Sequence, residues 1–190
     1  MTEFRPDLEG MNQDELADLA AACLEKLEPG RQPLPLFTQL ARLVVTSTVE
    51  IVPFKGTCES PKVLLAKRSG DDPWWPGQWH LPGTVLLPTD KAFDVHDYET
   101  PVDRLYNDEF HGSISRVGSV TIFDSQRRTD TRGSEQTVFG WSHFTLTSGF
   151  DEVTGGELFD ADHIESELAG EDVINGHLNS VKRALRHYRK

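Results

Sequence analysis

Apolar positions recur at helical spacing near both ends of the chain and alternate or cluster in strand-like runs between. Leu16, Leu19, Ala20, Cys23, Leu24 and Leu27 form one stripe at three- and four-residue intervals. Asn12 stands before it as an N-cap, Glu15 completes a capping box, and Pro29-Gly30 ends it. A helix is therefore predicted from Asn12 to about Glu28, after a polar, frayed start over residues 1–10. The stripe is a packing face, either for the chain's own core or for a second subunit, which leaves a homodimer open.

Gln32-Pro33-Leu34-Pro35 reads as a linker or edge segment. Leu40 to Phe54 is rich in β-branched residues and predicts one or two strands, with Pro53 near an end. Lys55 to Pro61 reads as a turn and Lys62 to Arg68 as the next strand. Ser69 to Gly77 is a loop whose Trp74 and Trp75 either stack on a flat ligand or plug the core. Glu99 to Gly112 reads as a short capped helix, with Thr100 as N-cap, Pro101 first inside and Gly112 as the stop. Ser113 to Phe123 alternates as a strand, and Asp124 to Ser134 reads as a polar loop. Glu135 to Leu146 is another strand, with Val138, Gly140 and Ser142 on one side and Phe139, Trp141 and His143 on the other. Asp162 to Leu168 is a short helix. Asp172 to Tyr188 is a longer one, with Val173, Ile174, His177, Val181, Ala184, Leu185 and Tyr188 along one face. This order predicts an α+β fold, a mixed sheet between helices.

A chain of 190 residues is long enough for one domain with a sizeable core. Its net charge of −12 repels bulk nucleic acid and anionic membranes. An anionic substrate would then need local cations or a metal ion. Basic residues cluster at Lys67-Arg68, at Arg127-Arg128 with Arg132, and from Lys182 to Lys190, the last read as a solvated surface. Cys23 and Cys58 are far apart and lack metal-binding spacing, so free thiols in a reducing compartment are expected. The start lacks a signal-peptide pattern and no apolar run reaches membrane-spanning length, which predicts a cytoplasmic protein without a membrane partner.

Candidate chemistry concentrates between Trp79 and Gly112. Trp79-His80-Leu81-Pro82-Gly83 makes a sharp entry, and the helix after it carries Arg104, Asp108 and Glu109. If the entry is a strand, His80 faces opposite to Trp79 and Leu81 and so could face a cleft. His177 lies on an apolar helix face and reads as a satisfied core residue. Spacing supports no Ser-His-Asp or Cys-His arrangement and no glycine-rich phosphate loop.

This stretch resembles the Nudix box, the strand–loop–helix motif G-x5-E-x7-R-E-U-x-E-E-x-G-U, where U is bulky and apolar. Trp79, Leu81, Pro82 and Gly83 match the family's W-x-L-P-G-G entry, with Thr84 in place of the box glycine. Asp90 takes the place of the first glutamate, and a lengthened loop around 91–98 follows. Arg104 matches the arginine, Leu105 replaces the next glutamate, Tyr106 fills U, and Asp108 and Glu109 match the Glu-Glu pair. Gly112 comes one residue late. Lys62 to Arg68 resembles the strand before the box, and Glu157-Leu158-Phe159 a late strand that leads into a helix.

The resemblance implies a Nudix-type αβα sandwich over residues 35–190, preceded by a helical extension and linker over 1–34. It also implies an enzyme that hydrolyses a nucleoside diphosphate derivative with Mg²⁺ (or Mn²⁺), which neutralises charge and activates water. Asp108 and Glu109 would bind the metal. Arg104 and Glu109 would be the catalytic residues, Arg104 by orienting the carboxylates. Arg68 would contact phosphate and Trp79 would lie beside the substrate. Leu105, one turn before Glu109, stands where the third carboxylate belongs and is expected to face the cleft. Asp90, Glu99, the inserted Asp94 and Asp97, or the Asp151-Glu152 loop would supply replacement ligands. Thr84, Leu105 and the lengthened loop support an alternative, a catalytically inactive Nudix-fold domain that binds a nucleotide or a protein partner.

Overall fold

The computed structural model describes residues 8–90, 98–129, 133–147 and 153–190. Met1–Arg31 and Gln32–Lys190 are separate compact units. The first holds helix α1, Gln13–Leu24. Its capping box is the one the sequence predicts. The Asn12 side chain accepts from the Asp14 and Glu15 amides at 2.9 and 3.0 Å, and Glu15 accepts from the Asn12 amide at 2.8 Å. The helix stops four residues short of Glu28, in turns that precede Pro29-Gly30.

In the second unit the order is α2 Leu34–Leu43, β1 Val45–Thr57, β2 Ser60–Lys67, β3 Trp79–His80, β4 Gly83–Val85, α3 Glu99–Glu109, β5 Ile114–Thr129, β6 Ser134–Leu146, β7 Gly156–Asp160, α4 Ile164–Glu167 and α5 His177–Tyr188. The seven strands form one sheet in the order β3-β2-β1-β6-β5, with β4 paired to β1 and β7 to β2. β1 and β6 run parallel and the other strand pairings are antiparallel. Strand alternation then sorts the core into two layers. Val52, Phe54, Val63 and Leu65 face α4 and α5, packing with Ile164, Val181 and Ala184. Val49, Ile51, Leu64 and Ala66 face α3, packing with Val102, Leu105, Tyr106 and Phe110. The molecule is the α+β sandwich the sequence predicts.

Several boundaries differ from expectation. Residues 34–43, read as linker and strand start, are a helix, because Pro35 sits in its first turn, where a missing N–H breaks no bond. The turn read over Lys55 to Pro61 shrinks to Cys58-Glu59, since β1 and β2 pair up to Thr57 and Ser60. The polar loop read from Asp124 is strand as far as Thr129. Arg127 and Arg128 lie on an edge strand, which carries charge readily. α5 begins at His177 rather than Asp172, because the Trp79 amide donates to the Asp172 carbonyl and the Ile174 amide to the Trp79 carbonyl. α3 starts at Glu99 after Tyr98, so Thr100 is inside it, and His111 takes the left-handed turn (φ 51°) ahead of Gly112.

The basic cluster from Lys182 is ion-paired rather than merely solvated. Lys182 meets Glu165 at 2.5 Å, Arg183 meets Asp124 at 2.6 Å and Arg189 meets Asp162 at 2.6 Å. Both cysteines are free and exposed. Among the described residues, no helix is long and apolar enough to cross a membrane.

Candidate functional site

Gly83 brings the entry turn against the central strand. A Cβ there would lie 2.9 Å from the Glu50 Cγ and 3.3 Å from the Val49 carbonyl oxygen, so only glycine lets β4 pair with β1 at this point. The entry is thereby pinned to β1, and α3 returns across the same sheet.

Arg104 leaves α3 toward this turn. Its Nε and Nη2 donate to the two Asp90 carboxylate oxygens at 3.1 and 2.8 Å, a bidentate pair. Nη1 donates to the Thr84 hydroxyl at 2.9 Å and Nη2 to the Val85 carbonyl at 2.9 Å. The buried Asp90 also accepts from the Leu87 amide at 2.8 Å. All the guanidinium nitrogens are thus engaged in tying the helix to the loop. Thr84, in the box-glycine position, is one of the acceptors. Arg104 orients Asp90.

The remaining box positions separate. Leu105 is 2% exposed in the α3 core layer, which overturns the expectation that it faces the cleft. The helix buries Val102, Leu105 and Tyr106 together, so the 105 position points into the sheet. Asp108 is exposed, while Glu109 turns to the buried His80 ring, 3.1 Å from Nε2. His80 does face away from Trp79 and Leu81, as alternation predicts. Glu99 pairs with Arg116 at 3.4 Å. Asp94, Asp97, Asp151 and Glu152 lie outside the described residues, as does Arg132. Among the described residues, no three His, Cys, Asp or Glu side chains come together in a group able to hold a metal ion. Leu105 lacks a donor and Asp90 is clamped, so these residues do not fit the three-carboxylate Mg²⁺ centre that the resemblance implies.

Trp79, expected beside the substrate, is a buried core residue. It is 8% exposed, packs edge-on against Phe159 at 5.1 Å and donates from Nε1 to Glu171 at 3.1 Å. Arg68 sits instead with the next loop, 3.7 Å from Asp72 and 5.9 Å from the Trp75 ring. Asp72 accepts from the Trp74 and Trp75 amides at 2.9 and 2.8 Å. Burial pushes the Asp72 carboxyl up, but those amides and Arg68 outweigh it and hold the group below the usual range.

A second polar group was not foreseen from the sequence. Glu50 on β1 faces the α5 layer and pairs with Arg128 of β5, which donates also to Thr137 at 3.2 Å. Glu135 lies 4.0 Å from the same guanidinium, and Arg128 stacks over Phe139 at 5.1 Å. His177 at the start of α5 accepts the Leu81 amide on Nδ1 at 2.8 Å and points Nε2 at Glu50, 3.7 Å away. The signal available was Glu50 itself, a charge between Val49 and Ile51 in a run otherwise apolar enough for a central strand.

His177 makes stability pH-dependent. Burial, with His80, Arg128 and Arg68 nearby, pushes its pKa down to about 3. The unfolded chain takes up this proton near the ordinary value of about 6.5, before the folded one can. The contribution is complete above that value and is lost as pH falls toward about 3, at up to about 1.4 kcal/mol per pH unit. His177→Asn keeps a side-chain acceptor for the Leu81 amide and should flatten this slope in urea melts. An unchanged slope would assign the acid sensitivity to other groups.

No family model and no curated protein matches the chain. Solved structures do. A NUDIX hydrolase from Nitrosomonas europaea aligns with a TM-score of 0.54 at 12% identity, over 77% of this chain and 92% of that one. The MutT protein from Methanosarcina mazei Go1 gives 0.51 at 16%, over 77% and 96%. The E. coli ORF135 protein gives 0.50 at 16%, over 83% and 98%. The chain therefore has the Nudix fold.

Proposed function

We propose that this chain is a Nudix-fold domain that binds a nucleoside diphosphate derivative and does not use its box helix as a Mg²⁺ centre. The observation that carries this reading is Leu105, which takes the place of a metal-binding carboxylate and lies in the core. The Arg104–Asp90 clamp supports it, since it turns two box positions into a brace between helix and entry loop. Trp75 with Arg68 beside it offers an aromatic surface and a cation, the pair a flat group linked to phosphate would use.

One observation favours a second reading, a divergent hydrolase of the same ligand class. Glu109 keeps its side chain 27% exposed beside His80 at the end of α3. In that reading Glu109 is the surviving reactive carboxylate and Arg104 holds the loop rather than orienting it.

Thermal melting against dinucleotide polyphosphates, nucleotide sugars and nucleoside triphosphates tests the binding reading, with one arm in EDTA and others in Mg²⁺ or Mn²⁺. At least one compound should stabilise the fold in EDTA, by about 2.7 kcal/mol at 100 times its Kd. A folded protein that responds to none of them would contradict the proposal. Stabilisation accompanied by metal-dependent cleavage would favour the second reading.

A further inference from the structure

No residue of helix α1 is buried, although its apolar side chains share one face. Leu16, Leu19, Ala20, Cys23 and Leu24 lie within the helix. The Leu27 amide donates to the Leu24 carbonyl at 3.0 Å, which carries the face beyond the helix end. Leu24 and Leu27 are each 41% exposed. A helix of 12 residues is marginal in water by itself, and an N-cap adds only about 1 kcal/mol. Covering the apolar face supplies the rest.

The order of residues on this face suits a second copy of itself. It is symmetric about the midpoint between Ala21 and Ala22: Leu16 mirrors Leu27, Leu19 mirrors Leu24 and Ala20 mirrors Cys23. A second helix turned end for end about a two-fold axis at that midpoint sets Leu16 level with its Leu27, Leu19 against its Cys23 and Ala20 against its Leu24. Every level is apolar on both sides, and each inner leucine meets a small residue that lets the backbones approach. Charge agrees with this pairing. Asp14, Asp18 and Glu25 are exposed on the opposite face and stay in water. The first turn carries Asp14 and Glu15, and Lys26 follows the last turn. End-for-end pairing brings Lys26 of one copy beside Glu15 of the other and sets the helix dipoles antiparallel. Parallel pairing would instead stack the two acidic first turns.

We propose that α1 is a self-association element that pairs antiparallel with the α1 of a second copy of this chain. One short helix face is smaller than the usual interface of about 1,600 Å², so the pair dissociates on dilution. The pairing involves α1 alone and depends on neither reading of the nucleotide ligand.

Sedimentation equilibrium of the reduced full chain, from micromolar to millimolar concentration, tests it. A monomer–dimer equilibrium should appear. Leu24→Glu, at an exposed position that leaves the fold intact by circular dichroism, should weaken association at least about tenfold. In the wild type, alkylation of Cys23 should slow as the chain is concentrated, while Cys58 on the other unit reacts at a constant rate. Spin labels attached through Gln13→Cys, with both native cysteines changed to serine, report the orientation. Antiparallel helices hold the two labels about 25 Å apart along the pair, whereas parallel helices hold them side by side. A monomer at every concentration, a dimer that Leu24→Glu leaves unweakened, Cys23 alkylation that ignores concentration, or labels side by side would each overturn the proposal. None of these results bears on nucleotide stabilisation in EDTA, so the two proposals fail separately.

Discussion

Leu105→Glu is expected to destabilise the fold by on the order of 4 kcal/mol or more and to gain no affinity for Mg²⁺. Two losses add. The leucine leaves a layer it shares with Val102, Tyr106 and Phe110, and a carboxylate takes its place where 2% of the residue meets water. Removing a buried leucine side chain alone costs about 2–5 kcal/mol. The glutamate must then either desolvate its charge or fold protonated. Tyr106 shows what this layer demands of a polar group: its hydroxyl is satisfied by the Ser142 hydroxyl at 2.7 Å, and burial still pushes the phenol up. Urea unfolding of wild type and variant, with and without Mg²⁺, gives the comparison. A lower midpoint at unchanged slope, indifferent to Mg²⁺, fits a core position. A variant as stable as wild type, or one rescued by Mg²⁺, would place residue 105 at the cleft after all.

Arg104→Met should cost about 3 kcal/mol, because it strands a carboxylate that is nearly out of water. The Asp90 side chain is 4% exposed and loses its bidentate partner, while Thr84 and Val85 lose a shared donor. Among the described residues, the Leu87 amide remains to hold the charge. Arg104→Lys should recover only part of the loss, since an ammonium cannot reproduce two parallel bonds to one carboxylate. Arg104→Met combined with Asp90→Asn should also recover part, because the asparagine oxygen can still accept from Leu87 without a buried charge. Denaturation midpoints of the single and double variants measure the coupling. If the single variant loses less than about 1 kcal/mol, the pair behaves as an exposed one and the brace is not structural.

The fold was legible wherever pattern and local chemistry agreed. Lys62 to Arg68 was readable as a strand, and the structure has Ser60–Lys67 as one, its alternation putting Val63 and Leu65 in one layer and Leu64 and Ala66 in the other. The capping box of Asn12 and Glu15 was readable because both partners lie within one turn. The helix Leu34–Leu43 was missed because Gln32 to Pro35 read as a linker and Leu40 onward as strand, whereas a first-turn proline is harmless. β5 was cut short at Asp124 because charge was taken for loop, although an edge strand carries it readily.

The site was less legible than the fold. Arg104 and Asp90 were singled out by the box, but their pairing depends on where the loop folds back. Whether Leu105 faces sheet or cleft depends on a helix rotation that a motif does not contain. Glu50, Arg128 and His177 meet from three elements far apart in sequence. His80 was noted for its facing, yet its contact with Glu109, 3.1 Å from Nε2, appears only once α3 packs against the entry strand.

The central claim is that ligand binding and box-metal hydrolysis have parted in this chain. The direct test is phosphorus magnetic resonance of the compound that stabilises the protein most, incubated with wild-type chain and Mg²⁺. The account predicts that the diphosphate resonances persist unchanged while the same sample keeps its raised Tm. New phosphate resonances that appear with Mg²⁺ and vanish in EDTA would contradict it and make the chain a working hydrolase.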